Sequence, residues 1–165
     1  VRSNTRFRIV AALNALTGQV TYRQYSRINR QRLAAFYIQL QAAYPQAEEI
    51  YLAQDNWPLH FHPEVRACLQ PQDASWFPQL PDHWPAQPRP SAVQADLPIR
   101  LLCLPTYASW LNPIEKLWRW LKPEHLHLHR YCDEWPTLRA LVAQALDQFR
   151  FGSPDLLRYV GLLPD

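Results

Sequence analysis

The spacing of apolar residues changes several times along this chain, and each change marks an element. Residues 6–13, Arg-Phe-Arg-Ile-Val-Ala-Ala-Leu, read as a strand running into an apolar stretch. Residues 19–25, Gln-Val-Thr-Tyr-Arg-Gln-Tyr, alternate in the manner of a half-exposed strand. Asn14 to Gly18 supplies turn chemistry between them, so a hairpin is predicted. Leu33, Phe36, Tyr37 and Leu40 then follow the i, i+3, i+4, i+7 spacing of a helix that Asn29 can cap and Pro45 closes. The run Ile50-Tyr51-Leu52-Ala53 reads as a buried strand ending at Asp55-Asn56, with a short helix from Pro63 to about Leu69. Residues 99–104 form another buried strand, stopped by Pro105, and Asn112-Pro113 opens a helix with the stripe Ile114, Leu117, Trp118 and Leu121. A last stripe joins Leu138, Leu141, Val142, Ala145, Leu146 and Phe149, and Ser153-Pro154 starts a short closing helix. Hairpin, helix, strand, helix, strand and helices make an α/β order.

Residues 71–98 break the pattern. They hold seven prolines and two Trp with no period, and are expected to form an ordered loop or insertion with its own aromatic contacts. The 165 residues fit one domain with a real core, residues 1–165. No apolar run approaches the ~20 residues that span a bilayer, so no membrane association is expected. Three Cys, Cys68, Cys103 and Cys132, form no CxxC pair and fit a reducing compartment rather than a disulfide scaffold. Only three Gly are present, which excludes a glycine-rich phosphate loop. No Met occurs anywhere, as expected for a piece of a longer chain.

The net charge of +3 is modest, but its distribution is not. Arg2, Arg6, Arg8, Arg23, Arg27, Arg30 and Arg32 all precede the first acid, Glu48. Such a block either grips a polyanion, through the planar guanidinium fork that suits phosphate, or forms a solvated basic face.

Two acids stand where chemistry gathers in an α/β sheet, at the carboxyl ends of strands. Asp55 follows the strand at 50–54, and Glu115 lies one turn into the helix after the next strand and its loop. A carboxylate pair there suits phosphoryl transfer, which uses two divalent ions ~4 Å apart held by hard oxygen ligands. Each acid also has a plainer role. Asp-Asn after a strand is ordinary turn chemistry. Glu115, with Asn112 as N-cap and Pro113 at N1, falls at the capping-box position and can pair with Arg119.

The run Leu104-Pro105-Thr106-Tyr107-Ala108, continuing into Asn112-Pro113-Ile114-Glu115 with Trp118 and Lys122, resembles the third-carboxylate motif of mariner-related insertion-sequence transposases, in the DDE superfamily. Ile50 to Asn56 is similar to the second motif, Arg8 to Val20 to the preceding hairpin, and Ser153 to Leu162 to a common ending. The resemblance implies an RNase H-like α/β fold, a mixed sheet flanked by helices. It implies DNA strand cleavage by water, then attack of the freed 3′-hydroxyl on target DNA. Asp55 and Glu115 would be the second and third Mg²⁺ (or Mn²⁺) ligands, with Asn56, Asn112 and His60 or His62 near the site. Arg119, Lys122, His129, Arg130, Arg27 and Arg30 would meet DNA. The implied partner is double-stranded DNA, transposon end and target, with a homodimer as a candidate assembly, in the prokaryotic cytoplasm and at the nucleoid when bound.

The chain departs from that pattern in three places. The family's first Asp lies on a strand before the hairpin, and no acid precedes Glu48 here, so the first Asp-bearing strand is expected to be missing and the isolated chain inactive. The alternative is a vestigial, non-catalytic nucleic-acid-binding domain of the same fold. Trp57-Pro58-Leu59-His60-Phe61-His62-Pro63 offers two His where one is usual, and 71–98 is longer than the usual connection. His125, His127, His129 and Cys132 invite a zinc reading, but H-x-H-x-H fits known structural spacings poorly.

Overall fold

A computed structural model describes residues 8–122 and 134–164 of the chain. The chain divides into two compact units, Val1–Arg27 with Pro113–Asp165, and Ile28–Asn112.

The first unit begins with the hairpin, β1 (Arg8–Leu13) and β2 (Val20–Tyr25), paired antiparallel from Arg8↔Tyr25 to Leu13↔Val20. Asn14 builds the turn, its Oδ1 accepting from the amides of Leu16 at 2.9 Å and Thr17 at 3.2 Å. Gly18 closes it at φ 71°, in the left-handed region where a side chain is strained. The helices α3 (Ile114–Leu121), α4 (Trp135–Asp147) and α5 (Pro154–Val160) complete the unit. Leu117, Leu121, Val142, Leu146, Leu156 and Val160 bury together with Val20 of the hairpin. Leu117, Leu121, Val142 and Leu146 belong to the stripes the sequence spacing predicts. Ser153 caps α5 by accepting from the Leu156 amide, and Gly161 ends it at φ 83°.

The second unit carries α1 (Arg30–Ala43), β3 (Ile50–Gln54), a 3₁₀ turn at Pro58–Phe61, the one-turn helix α2 (Pro63–Arg66) and β4 (Ile99–Cys103). Asn29 caps α1 through the Arg32 amide, as expected, and Leu33, Phe36, Tyr37 and Leu40 are its buried stripe. β3 and β4 pair in parallel, Ile50↔Ile99 through Gln54↔Cys103. Both were expected to be fully buried, and both are buried on one face only. Ile99 and Leu101 are in the core, while Tyr51 and Leu102 are exposed. A short apolar run does not say how many of its faces are covered.

Residues 71–98 form turns without a regular element, joined to the body by the bridge Leu69↔Leu97. They carry aromatic contacts of their own, with Phe77 against Phe61 at 5.0 Å and Trp84 against His62 at 4.5 Å. Arg89 fixes the far end of the segment, its Nε donating to Glu64 Oε1 at 2.5 Å. Among the described residues the expected single mixed sheet takes the form of two two-stranded sheets, β1–β2 and β3–β4. No helix among these residues is long and apolar enough to cross a membrane.

Candidate active-site residues at the strand ends

The carboxyl ends of β3 and β4 are fastened to each other. Leu104 N donates to Gln54 O at 3.0 Å, and Asn56 Nδ2 donates to Leu104 O at 2.9 Å. Asp55 stands between these clasps. The 3₁₀ turn brings the chain back over it, so that His60 Nε2 lies 3.2 Å from Asp55 Oδ1. The Trp57 amide donates to the same oxygen at 3.3 Å. That leaves Oδ2 without a protein partner among the described residues, on a side chain 56 % exposed. The His60 hydrogen bond holds the Asp55 carboxyl below its usual range, against the smaller opposing effect of burial. An ionised, open carboxylate oxygen is the ligand type that Mg²⁺ and Mn²⁺ take, so Asp55 fits the expected ion.

The two His residues separate clearly. His60 faces Asp55, with its ring edge-on to Trp57 at 5.3 Å. His62 is buried, and its Nδ1 accepts from the Glu64 amide at 3.1 Å to cap α2. Burial, and then the Arg30 charge, lower its pKa. A neutral ring accepting at Nδ1 carries its proton on Nε2. Of the two near-site candidates, His60 is therefore the one beside Asp55.

Glu115 belongs to the other unit. It is half-buried in the first turn of α3, where Pro113, at φ −58° and ψ −29°, holds the capping position and has no polar side chain to cap with. Glu115 is the second residue of the helix by this boundary, or the third when Pro113, whose backbone is helical, is counted. No ion pair joins it to Arg119 among the described residues; Arg119 and Lys122 are exposed. Arg27 is exposed as well. Arg30, expected at DNA, lies 3.3 Å from Glu64 Oε1, which neutralises part of its charge. Asn112, half-buried, directly precedes Pro113. His129 and Arg130, like His125, His127 and Cys132, lie outside the described residues.

In the loop before α3, Tyr107 has φ 61° and is 97 % exposed, and Trp110 is exposed too. Cys68 is buried and its thiol is pushed up to about 11, while partial burial raises Cys103 as well, so neither is a ready thiolate. Among the described residues, no three His, Cys, Asp or Glu side chains cluster as a metal site. Sequence reasoning missed Tyr37 and Gln54. Tyr37 reads as one more apolar position of α1, yet its buried hydroxyl donates to Gln54 Oε1 at 3.0 Å and lies 3.4 Å from His60 Nδ1. Contacts so distant in sequence leave no local signal.

The family model described as DDE superfamily endonuclease matches residues 1–139. No curated protein and no solved structure matches significantly.

Proposed function

The chain belongs to the DDE superfamily endonuclease family, and on that footing we propose that it is the catalytic core of a transposase of the mariner-related insertion-sequence group. In this reading the domain is RNase H-like. The reaction is hydrolysis of a phosphodiester at the transposon end, giving a free 3′-hydroxyl and a 5′-phosphate. Transfer of that hydroxyl to a phosphodiester of target DNA follows. Asp55 and Glu115 would be the residues that hold Mg²⁺ or Mn²⁺, and the ion would supply charge stabilisation for the attacking and leaving oxygens.

The chain's own residues prepare the site. His60 and the Trp57 amide hold Asp55 Oδ1, so that the carboxylate is ionised and its second oxygen is open. Asn56 locks the strand end that carries it through Leu104 O. Arg27, Arg119 and Lys122 are exposed cations that would meet double-stranded DNA, and a homodimer would bring two transposon ends together. The cytoplasm, at the nucleoid, is the corresponding place of action.

The observation that carries this reading is the open, ionised Asp55 carboxylate at a strand's carboxyl end, in a chain of this family. The test joins the chain to an upstream segment carrying a third carboxylate and measures nicking of terminal-repeat DNA. Nicking is expected only with Mg²⁺ or Mn²⁺, and Asp55→Asn or Glu115→Gln should each reduce it by about a hundredfold or more, the upper end of the cost of losing even an outer-shell partner. Metal-independent DNA binding without any nicking would establish the non-catalytic reading instead.

A further inference from the structure

Tyr37 is 1 % exposed on α1, and its hydroxyl lies between Gln54 Oε1, 3.0 Å away, and His60 Nδ1, 3.4 Å away. The other ring nitrogen of His60 faces Asp55 Oδ1 at 3.2 Å. A hydroxyl has one proton to donate, and a neutral imidazole has one N–H. For the ring to donate to the carboxylate, that proton must be on Nε2, so Nδ1 must accept. The hydroxyl beside Nδ1 is that of Tyr37, which then needs a donor of its own. Gln54 supplies one when its amide is turned by half a rotation, placing Nε2 against the Tyr37 oxygen. The same turn eases a separate observation, exchanging an unpaired buried nitrogen for an unpaired oxygen. Gln54 is buried, and with Oε1 facing Tyr37 its Nε2 has no hydrogen-bond partner. A buried N–H left unpaired is rarer than an under-satisfied carbonyl.

We propose that Tyr37, backed by Gln54, is a positioning residue for the strand-end carboxylate: its hydroxyl fixes the tautomer and ring plane of His60, and His60 in turn holds Asp55 Oδ1 and leaves Oδ2 for a cation. The Gln54 amide donates to Tyr37, Tyr37 donates to His60 Nδ1, and His60 Nε2–H donates to Asp55. The last link, from Asp55 to the cation, rests on the metal-ligand reading above; the first three do not. Losing an outer-shell partner of a metal ligand commonly weakens metal affinity by ~10–100-fold. A hydroxyl one link further back acts at the lower end of that range.

Ring ¹⁵N correlations of the labelled 165-residue chain test this at pH about 8, well above the ordinary imidazole range. His60 is identified by its loss in His60→Gln. The neutral wild-type ring is expected as the Nε2–H tautomer. Tyr37→Phe, which removes one oxygen, should shift it to a tautomer mixture with amide dispersion elsewhere unchanged, and should weaken Mn²⁺ binding by about tenfold. A wild-type Nδ1–H tautomer overturns the proposal without any variant, as does a ring pattern indifferent to Tyr37→Phe. Should Tyr37→Phe fail to fold, Gln54→Met must move the same ring signals, and unmoved signals overturn the proposal. If the tautomer responds while Asp55→Asn leaves Mn²⁺ affinity intact, the positioning of Asp55 stands and its reading as a metal ligand falls.

Discussion

Glu64 is the one acid buried among the described residues, at 8 % exposure, and it sits under two guanidinium groups. Arg89 donates to both carboxylate oxygens, at 2.5 and 3.4 Å, and Arg30 approaches at 3.3 Å. Arg89, more than Arg30, holds the Glu64 carboxyl below its usual range, against the opposing effect of burial. The sign follows from linkage: a depressed carboxyl stabilises the fold above its unfolded value of about 4.3, and that stability is lost as pH falls through the folded value. Glu64→Gln keeps the shape and removes the charge. Hydrogen bonds to charged groups contribute ~1.5–3 kcal/mol, but Arg30 and Arg89 are 38 % and 57 % exposed and thus partly screened. The expected loss is therefore about 1–2 kcal/mol at pH 7 in a denaturant titration. The gap between wild type and variant should begin to narrow below about pH 4.3 and close as pH falls through the lower folded value, and a gap that persists undiminished in acid would show that charge is not its source.

At the scale of the element, the hairpin turn and the start of α5 interlock through backbone. Ser153 N donates to Thr17 O at 2.9 Å, and a Cβ added at Gly18 would come within 2.3 Å of Ser153 O. Since Gly18 also has φ 71°, Gly18→Ala meets both strain and collision, and a loss of about 2 kcal/mol or more is expected. Asn29→Ala, by contrast, should cost only the ordinary ~1 kcal/mol of a helix cap. Equal, small effects in thermal melts would mean that the turn yields at Gly18. These two sites also show what the sequence can carry. Asn29, the stripe of α1 and the stripe of α4 are local patterns with a fixed period, and they were legible. The single-faced burial of β3 and β4 was not, because it depends on what covers each face. Tyr37 was read as core, which it is; the work of its hydroxyl appears only once Gln54 and His60 are seen around it.

For the molecule as a whole, the matched family region, residues 1–139, includes both candidate carboxylates, Asp55 from one compact unit and Glu115 from the other. Motif wording, not spacing, singled them out, because Asp-Asn is also a turn and an acid near a helix start is also a cap. A shared ion makes a thermodynamic demand that separate roles do not. If both oxygens hold one cation, removing either breaks the same site, and the second removal has little left to break. Groups that act on one ligand give non-additive losses, whereas distant independent sites add. Mn²⁺ affinity of the chain, measured by calorimetry, should fall by at least ~10-fold with Asp55→Asn and again with Glu115→Gln, each taken singly. The double variant is expected to bind no more weakly than the weaker single variant. If instead each single variant removes one binding event and leaves another at wild-type affinity, Asp55 and Glu115 hold separate ions; if Glu115→Gln changes only the melting temperature, its carboxylate serves the helix and not the metal.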